Sequence, residues 1–206
     1  KNIFKVGGSQ AVFAMAYGTK SIPKCLKIFG PGNQYVTEAK MLVSKDISID
    51  MPAGPSEVYV VSNDENKLDI IASDLLSQLE HSKDAKAVLI SQNKSLIKNI
   101  SNEINIQNNA LNRQEILKSS INNIYLVNAS SDQQIIDFIN INAPEHLILL
   151  YNDFSKIAPY INNAGSVFCG NYSPESFGDY ASGSNHTLPT SGAAKTYSGL
   201  SVKDFG

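Results

Sequence analysis

VYVVSNDENKLDIIASDLLSQLEHSKDAKAVLIS, residues 58–91, carries the fold in three pieces. Residues 58–62 are a β-branched run that suits a buried strand. Across residues 67–81 apolar side chains recur at helical spacing, with Leu68, Ala72, Leu75 and Leu79 forming a stripe for the core. Residues 87–91 are short and apolar again, and read as a second strand.

The same alternation runs outward in both directions. Downstream, residues 96–106 and 111–119 read as helices, 123–127 as a strand and 132–139 as a helix. Residues 146–150 follow as a strand, 154–161 as a helix and 166–169 as a strand. Upstream, residues 2–6 are strand-like and end in Gly7-Gly8, after which Ser9 can cap a helix over 10–17. Residues 27–29 form a short strand broken by Gly30-Pro31-Gly32, 33–43 a helix and 47–50 a third strand-like piece. Pro52-Ala53-Gly54-Pro55 then marks a domain boundary or a functional turn. Strands alternating with helices of this length predict βαβ units and parallel sheets covered on both faces. After Gly170 the chain turns to Gly, Ser, Pro and Asn, which predicts a long functional loop.

Composition narrows the function. With 206 residues and 42% apolar side chains, the chain can bury a real core in one large domain or two small ones. A net charge of −2 without basic clusters argues against a nucleic-acid or anionic-membrane surface. No apolar run reaches the ~18 residues a membrane span needs, and the first residues do not read as a signal peptide. Cys25 and Cys169 fit no metal-ligand spacing, and two buried thiols in a cytoplasmic enzyme is the expectation. Asn, Ile, Lys and Ser are heavily used between residues 91 and 142, but apolar periodicity persists there, so the bias belongs to solvent faces.

Chemistry gathers at four places. Asp74, Gln78 and His81 stand at i, i+4 and i+7, so one helix face presents an amide oxygen and an imidazole for a divalent ion, or a plain polar surface. Pro144-Glu145-His146 opens a strand. Its imidazole suits proton transfer near neutral pH and its carboxylate can hold or deprotonate a water, although a loop pair bonded to backbone has the same pattern. In the loop after the last strand, Asp179 and His186 could ligate a metal or a substrate. Gly7-Gly8-Ser9-Gln10 and Gly30-Pro31-Gly32-Asn33 are strand-to-helix turns where backbone N–H groups can approach a phosphate, or simply tight turns.

Six stretches together resemble histidinol dehydrogenases: VGGSQAVFAMAYGT, KIFGPGNQYVTEAK, IDMPAGPSEVYV, ASDLLSQLEH, APEHLILL and AGSVFCGNYSPESFGDYASGSNHTLPT. They run from about residue 5 to residue 190 in order, and the GPGN, DMPAGPSE and SPESFGDYASGSNH motifs are specific. The resemblance implies Rossmann-like parallel sheets flanked by helices. It also implies an enzyme using Zn2+ and NAD to oxidise L-histidinol through L-histidinaldehyde to L-histidine, the last step of histidine biosynthesis. By position, Gln78, His81 and Asp179 match the family's zinc ligands, and Glu145 and His146 its acid/base pair. Ser56 and His186 match substrate contacts, a role shared by Gln78, His81, His146 and Asp179, while Gln10 and Asn33 match NAD contacts. Complete members are longer, so the resemblance further implies an internal fragment with two incomplete domains, inactive by itself. Residues 1–56 would close the NAD domain, 57–190 would form the back half of a second Rossmann-like domain carrying the zinc and catalytic site, and 191–206 would begin a C-terminal arm. That arm exchanges between subunits of a homodimer in the family. A metal-dependent hydrolase using the same residues, or an inactive truncated remnant, are the rival readings.

Overall fold

The computed structural model describes every residue except Lys1, Ala53, Asn152, Ala181 and Gly206. The chain divides into two compact units, Lys1–Gly54 with Leu200–Gly206, and Pro55–Gly199. Ala53, within the run of breakers expected to mark a boundary or turn, lies outside the described residues.

In the first unit, α1 (Ser9–Tyr17), β1 (Lys27–Ile28), α2 (Gln34–Val43) and β2 (Ser48–Ile49) surround a small core of Val12, Ala16, Ile28, Ala39, Val43 and Ile47. The two short strands pair in parallel. Asn33 caps α2, its side-chain oxygen accepting from the Tyr35 and Val36 N–H groups at 3.1 and 3.2 Å. A buried Lys40–Asp50 ion pair clamps the preceding turn: Asp50 accepts from Gly30 N–H at 2.9 Å, and the Lys40 ammonium donates to Gly30 C=O at 3.0 Å. Gly32 is required by packing, since a Cβ there would fall 2.4 Å from the Val36 side chain. The strand expected over residues 2–6 does not form. Alternation alone does not make a strand without a partner for its backbone, and Ile3 is 94% exposed.

The second unit is built on β3 (Glu57–Val61), α3 (Leu68–Leu79), β4 (Lys86–Ser91), α4 (Lys94–Ala110), α5 (Gln114–Ser120), β5 (Ile124–Asn128), α6 (Asp132–Asn142), β6 (His146–Leu149), β7 (Ser166–Cys169) and α7 (Ser176–Tyr180). Its five strands pair in parallel in the order β5-β4-β3-β6-β7. Side chains alternate across a strand, and over the three central strands both faces are covered. Val58, Val60 and Leu89 pack with Ile71, Leu75, Leu79, Leu96 and Ile100 on one side. On the other, Tyr59, Val61, Val88 and Leu147 meet Ile135, Ile139 and Ile157. Each such buried aliphatic side chain is worth about 1.5–3 kcal/mol, far more than any local strand or helix preference.

Three expectations about elements need correction. Residues 154–161 form two 3-10 turns, Phe154–Lys156 and Ala158–Tyr160, because Pro159 lacks the N–H an α-helix would use. The segment after Gly170 is a loop that contains the short helix α7. The helix expected to reach His81 stops at Leu79 with Glu80 as its cap, so His81 lies beyond the last turn. Both cysteines are free, and they are half-buried where burial was expected. No helix among the described residues is long and apolar enough to cross a membrane.

Candidate functional site

Strand order reverses between β3 and β6, and an open α/β sheet ordinarily binds ligands at the carboxyl ends of such a pair. Here those ends are filled by a closed amide network. Asn63 accepts from the Ser91 hydroxyl at 3.0 Å and the Gln92 N–H at 2.8 Å, and donates to the Tyr151 hydroxyl. Burial, with the charge of Asp132, pushes that phenol up to about 12. The groups suited to proton transfer are at the opposite, amino-terminal end.

There Glu57 opens β3 beside the start of β6, with Val58 in register with His146. Its main-chain N–H and C=O meet the two members of the Glu145-His146 pair. The Glu57 N–H donates to Glu145 Oε2 at 2.9 Å, and the Glu57 C=O lies 3.2 Å from His146 Nδ1. Consecutive strand residues should face opposite sides, yet Glu145 Oε2 and His146 Nδ1 are only 3.6 Å apart. The backbone bend at Glu145 resolves this. Helix α6 ends on Ala143 in the left-handed region (φ 49°), Pro144 prevents its continuation, and the strand begins only at His146. Gly165 permits the bend to pack: a Cβ there would sit 2.5 Å from Glu145 C=O.

Electrostatics sort the pair. Burial pushes the Glu145 carboxyl up to about 8, helped by the charges of Glu175 and Glu57 and opposed by hydrogen bonds from the Glu57 N–H and the Ser56 hydroxyl. Burial pushes the His146 imidazole down to about 4 against the pull of the Glu57 carbonyl. A neutral ring that donates Nδ1–H to Glu57 carries its lone pair on Nε2. That nitrogen faces Glu175 Oε1 across 3.7 Å. Glu175 Oε2 is buried without a hydrogen-bond partner, and burial with the charges of Asp179 and Asp74 raises this carboxyl to about 7. Asp74, itself raised to about 6 by burial, lines an adjoining cavity of about 680 Å³ with Ile148, Pro174 and Phe177.

The other expected residues surround this centre unevenly. Gln78 is buried and both atoms of its amide are unpartnered. His81 is exposed just past the helix end, so Asp74, Gln78 and His81 do not form one continuous helix face. Asp179, in α7, pairs with His186 Nδ1. The charges of Asp179, His186 and His81 all act on His146, which places each of them within electrostatic reach of that ring. Among the described residues no three His, Cys, Asp or Glu side chains converge into a metal-binding group by themselves. The orphaned Gln78 oxygen is the observation that favours a metal: a buried unpaired polar group costs about 1–3 kcal/mol, and an amide, an imidazole and a carboxylate are donors that Zn2+ accepts. Gln10, exposed at the start of α1, and Asn33, the cap of α2, belong to the first unit.

Sequence reading passed over Glu57 and Glu175. A carboxylate immediately ahead of the wholly apolar run Val58–Val61 was a usable signal for the first, since such a residue must be buried and paired. Glu175 sits in a Ser/Pro/Gly loop and has no periodicity to expose it.

Comparison with known proteins adds an independent line. Residues 1–206 match the family model described as histidinol dehydrogenase. A histidinol dehydrogenase from Bacteroides fragilis is 52% identical over 204 residues, covering 98% of this chain and 48% of that protein. One from Haemophilus influenzae is 48% identical over 206 residues, covering 100% and 48%. The crystal structure of histidinol dehydrogenase from Elizabethkingia anophelis superposes with a TM-score of 0.89 at 45% identity, covering 98% of this chain and 47% of that one. A γ-glutamyl phosphate reductase from Thermotoga maritima, at 12% identity and a TM-score of 0.56 over 93% of this chain and 54% of its own, shares the fold alone. The chain spans about half the length of the curated relatives it matches.

Proposed function

The chain belongs to the histidinol dehydrogenase family, and from that premise we propose that it carries the acid/base centre of an enzyme oxidising L-histidinol through L-histidinaldehyde to L-histidine. The observation that carries this reading is the main chain of Glu57, whose N–H holds Glu145 and whose C=O holds His146. Held that way, His146 presents Nε2 as a base, and burial keeps the ring neutral with its lone pair free for the alcohol proton. Oxidising the aldehyde requires its hydrate, and Glu145 would take the proton of the attacking water. A carboxyl that titrates near 8 is a far better base, once ionised, than an exposed one.

Zn2+, when bound by Gln78, His81 and Asp179, would supply a positive centre that grips and orients the substrate. NAD, approached by Gln10 and Asn33, would supply the hydride acceptor. Ser56 and His186 are the further substrate contacts in this reading, and a homodimer that exchanges C-terminal arms belongs to it as well. Because Gln78 is already buried and its amide has no competing partner, the donor set is incomplete without a ligand.

The test is to add L-histidinol and NAD to the full-length protein and follow NADH by absorbance, with zinc content measured in parallel. NADH production that stops on chelation and falls in His146→Asn is expected. Hydrolysis of another substrate without nicotinamide, or NADH production indifferent to both changes, would overturn the proposal.

A further inference from the structure

Glu175 has been given no role so far, yet its position is specific. Its Oε1 stands 3.7 Å from His146 Nε2, beyond hydrogen-bond length but within ion-pair range. Its Oε2 is buried with no partner. The other ring nitrogen, Nδ1, is on the Glu57 carbonyl. His146 therefore lies between a fixed acceptor on one nitrogen and a carboxylate facing the other.

We infer that Glu175 is a positioning residue for His146, holding the ring from its Nε2 side and meeting the imidazolium that forms when that nitrogen takes a substrate proton. This rests on the proposed role of His146 as base. The balance is simple: the substrate O–H bond breaks, its proton joins the Nε2 lone pair and its electron pair forms the C=O bond as the carbinol hydride leaves for the acceptor that NAD would supply, with the Glu175 carboxylate beside the imidazolium so formed. A buried carboxylate facing a transient imidazolium steadies both its charge and its orientation. The other titratable groups around the ring are Glu57 and Glu145 at the strand ends, His81 beyond α3, and Asp179 and His186 from α7 and the following loop. Asp74 of α3 and Asp179 act on Glu175 itself. All of them are retained when Glu175 alone is changed, so a comparison isolates its effect.

The experiment uses the full-length protein with Glu175→Gln, Glu175→Asp and His146→Asn, measuring kcat, KM for L-histidinol and the pH profile of kcat. Glu175→Gln should lower kcat roughly 10- to 100-fold, the usual cost of losing a group that orients a functional side chain, with KM little changed. It should also move the acidic limb of kcat to lower pH, because the part of that limb set by protonation of the Glu175 carboxyl, which titrates near 7, is absent in the Gln variant. Glu175→Asp should recover part of both effects and guards against a folding defect in the first variant. If Glu175→Gln leaves kcat and the acidic limb unchanged while His146→Asn is inactive, the inference fails and the base assignment stands. If KM alone rises, Glu175 is a substrate contact and the positioning role is wrong. If His146→Asn keeps full activity, the base assignment fails and this inference goes with it.

Discussion

Replacing Glu145 by Gln should stabilise the protein in alkaline solution while removing its proton chemistry. The carboxyl is 5% exposed, and burial lifts it from its ordinary 4.5 to about 8. An acid whose affinity for its proton is raised by folding adds stability in full below about 4.5, and that contribution drains away as pH rises through about 8. At about 1.4 kcal/mol per unit, the interval from 4.5 to about 8 sets an upper bound near 5 kcal/mol. Gln keeps the shape and an oxygen for the Glu57 N–H, but has no proton to lose. The gap between the two proteins should therefore be small near pH 5, widen with pH, and level off above about 8. For a protein of this size each kcal/mol moves Tm by about 2–4 °C, so a gap of at most ~10–20 °C is expected at the alkaline end. Thermal unfolding followed by circular dichroism across that range, with a chelator present, measures it. Parallel curves for the two proteins would mean that Glu145 is not held neutral by burial, and the argument for its strength as a base would go with them.

Other outcomes follow from the same geometry. His146→Asn should lower the rate of histidinol oxidation by ~100-fold or more while the substrate still binds, as steady-state kinetics with a binding titration would show; lost binding at an unchanged maximal rate would make His146 a ligand and not a base. Gln78→Leu should raise the stability of the metal-free protein by about 1–3 kcal/mol, since it removes a buried amide without partners, and should abolish zinc retention through dialysis. A destabilised Leu variant in urea unfolding would contradict that account. Asn33→Ala removes a cap that accepts two N–H groups and should cost about 1 kcal/mol of helix stability. It should also raise KM for NAD without altering KM for histidinol, and equal changes in both would remove Asn33 from the cofactor contacts.

Much of the architecture could be read before any coordinates. Val58–Val61 announces itself because a strand buried on both faces has little room for polar residues. Residues 2–6 show the limit, because pairing is a property of two segments and a single sequence displays one. Pro159 was visible, but a pattern count over residues 154–161 gives it too little weight against the apolar spacing around it. At the site, Glu145 and His146 could be named from sequence, whereas the bend that brings both to the main chain of one residue depends on Ala143 adopting a left-handed conformation. Nothing in the letters Ser-Pro-Glu-Ser places Glu175 against the ring of His146, since that contact spans 29 residues of chain.

The Glu57 main-chain bracket also affects how the site tolerates change. The groups that hold Glu145 and His146 belong to the main chain, so every residue type except proline supplies them, and drift at position 57 leaves the bracket standing. What the bracket cannot survive is a shift of β6 against β3, because a slip of one residue would present a different peptide group and turn the side chains over. The pair is thus specified by strand registry between segments 88 residues apart in the chain. An inheritable defect in the chemistry can arise from core substitutions along that seam that never touch the reacting groups.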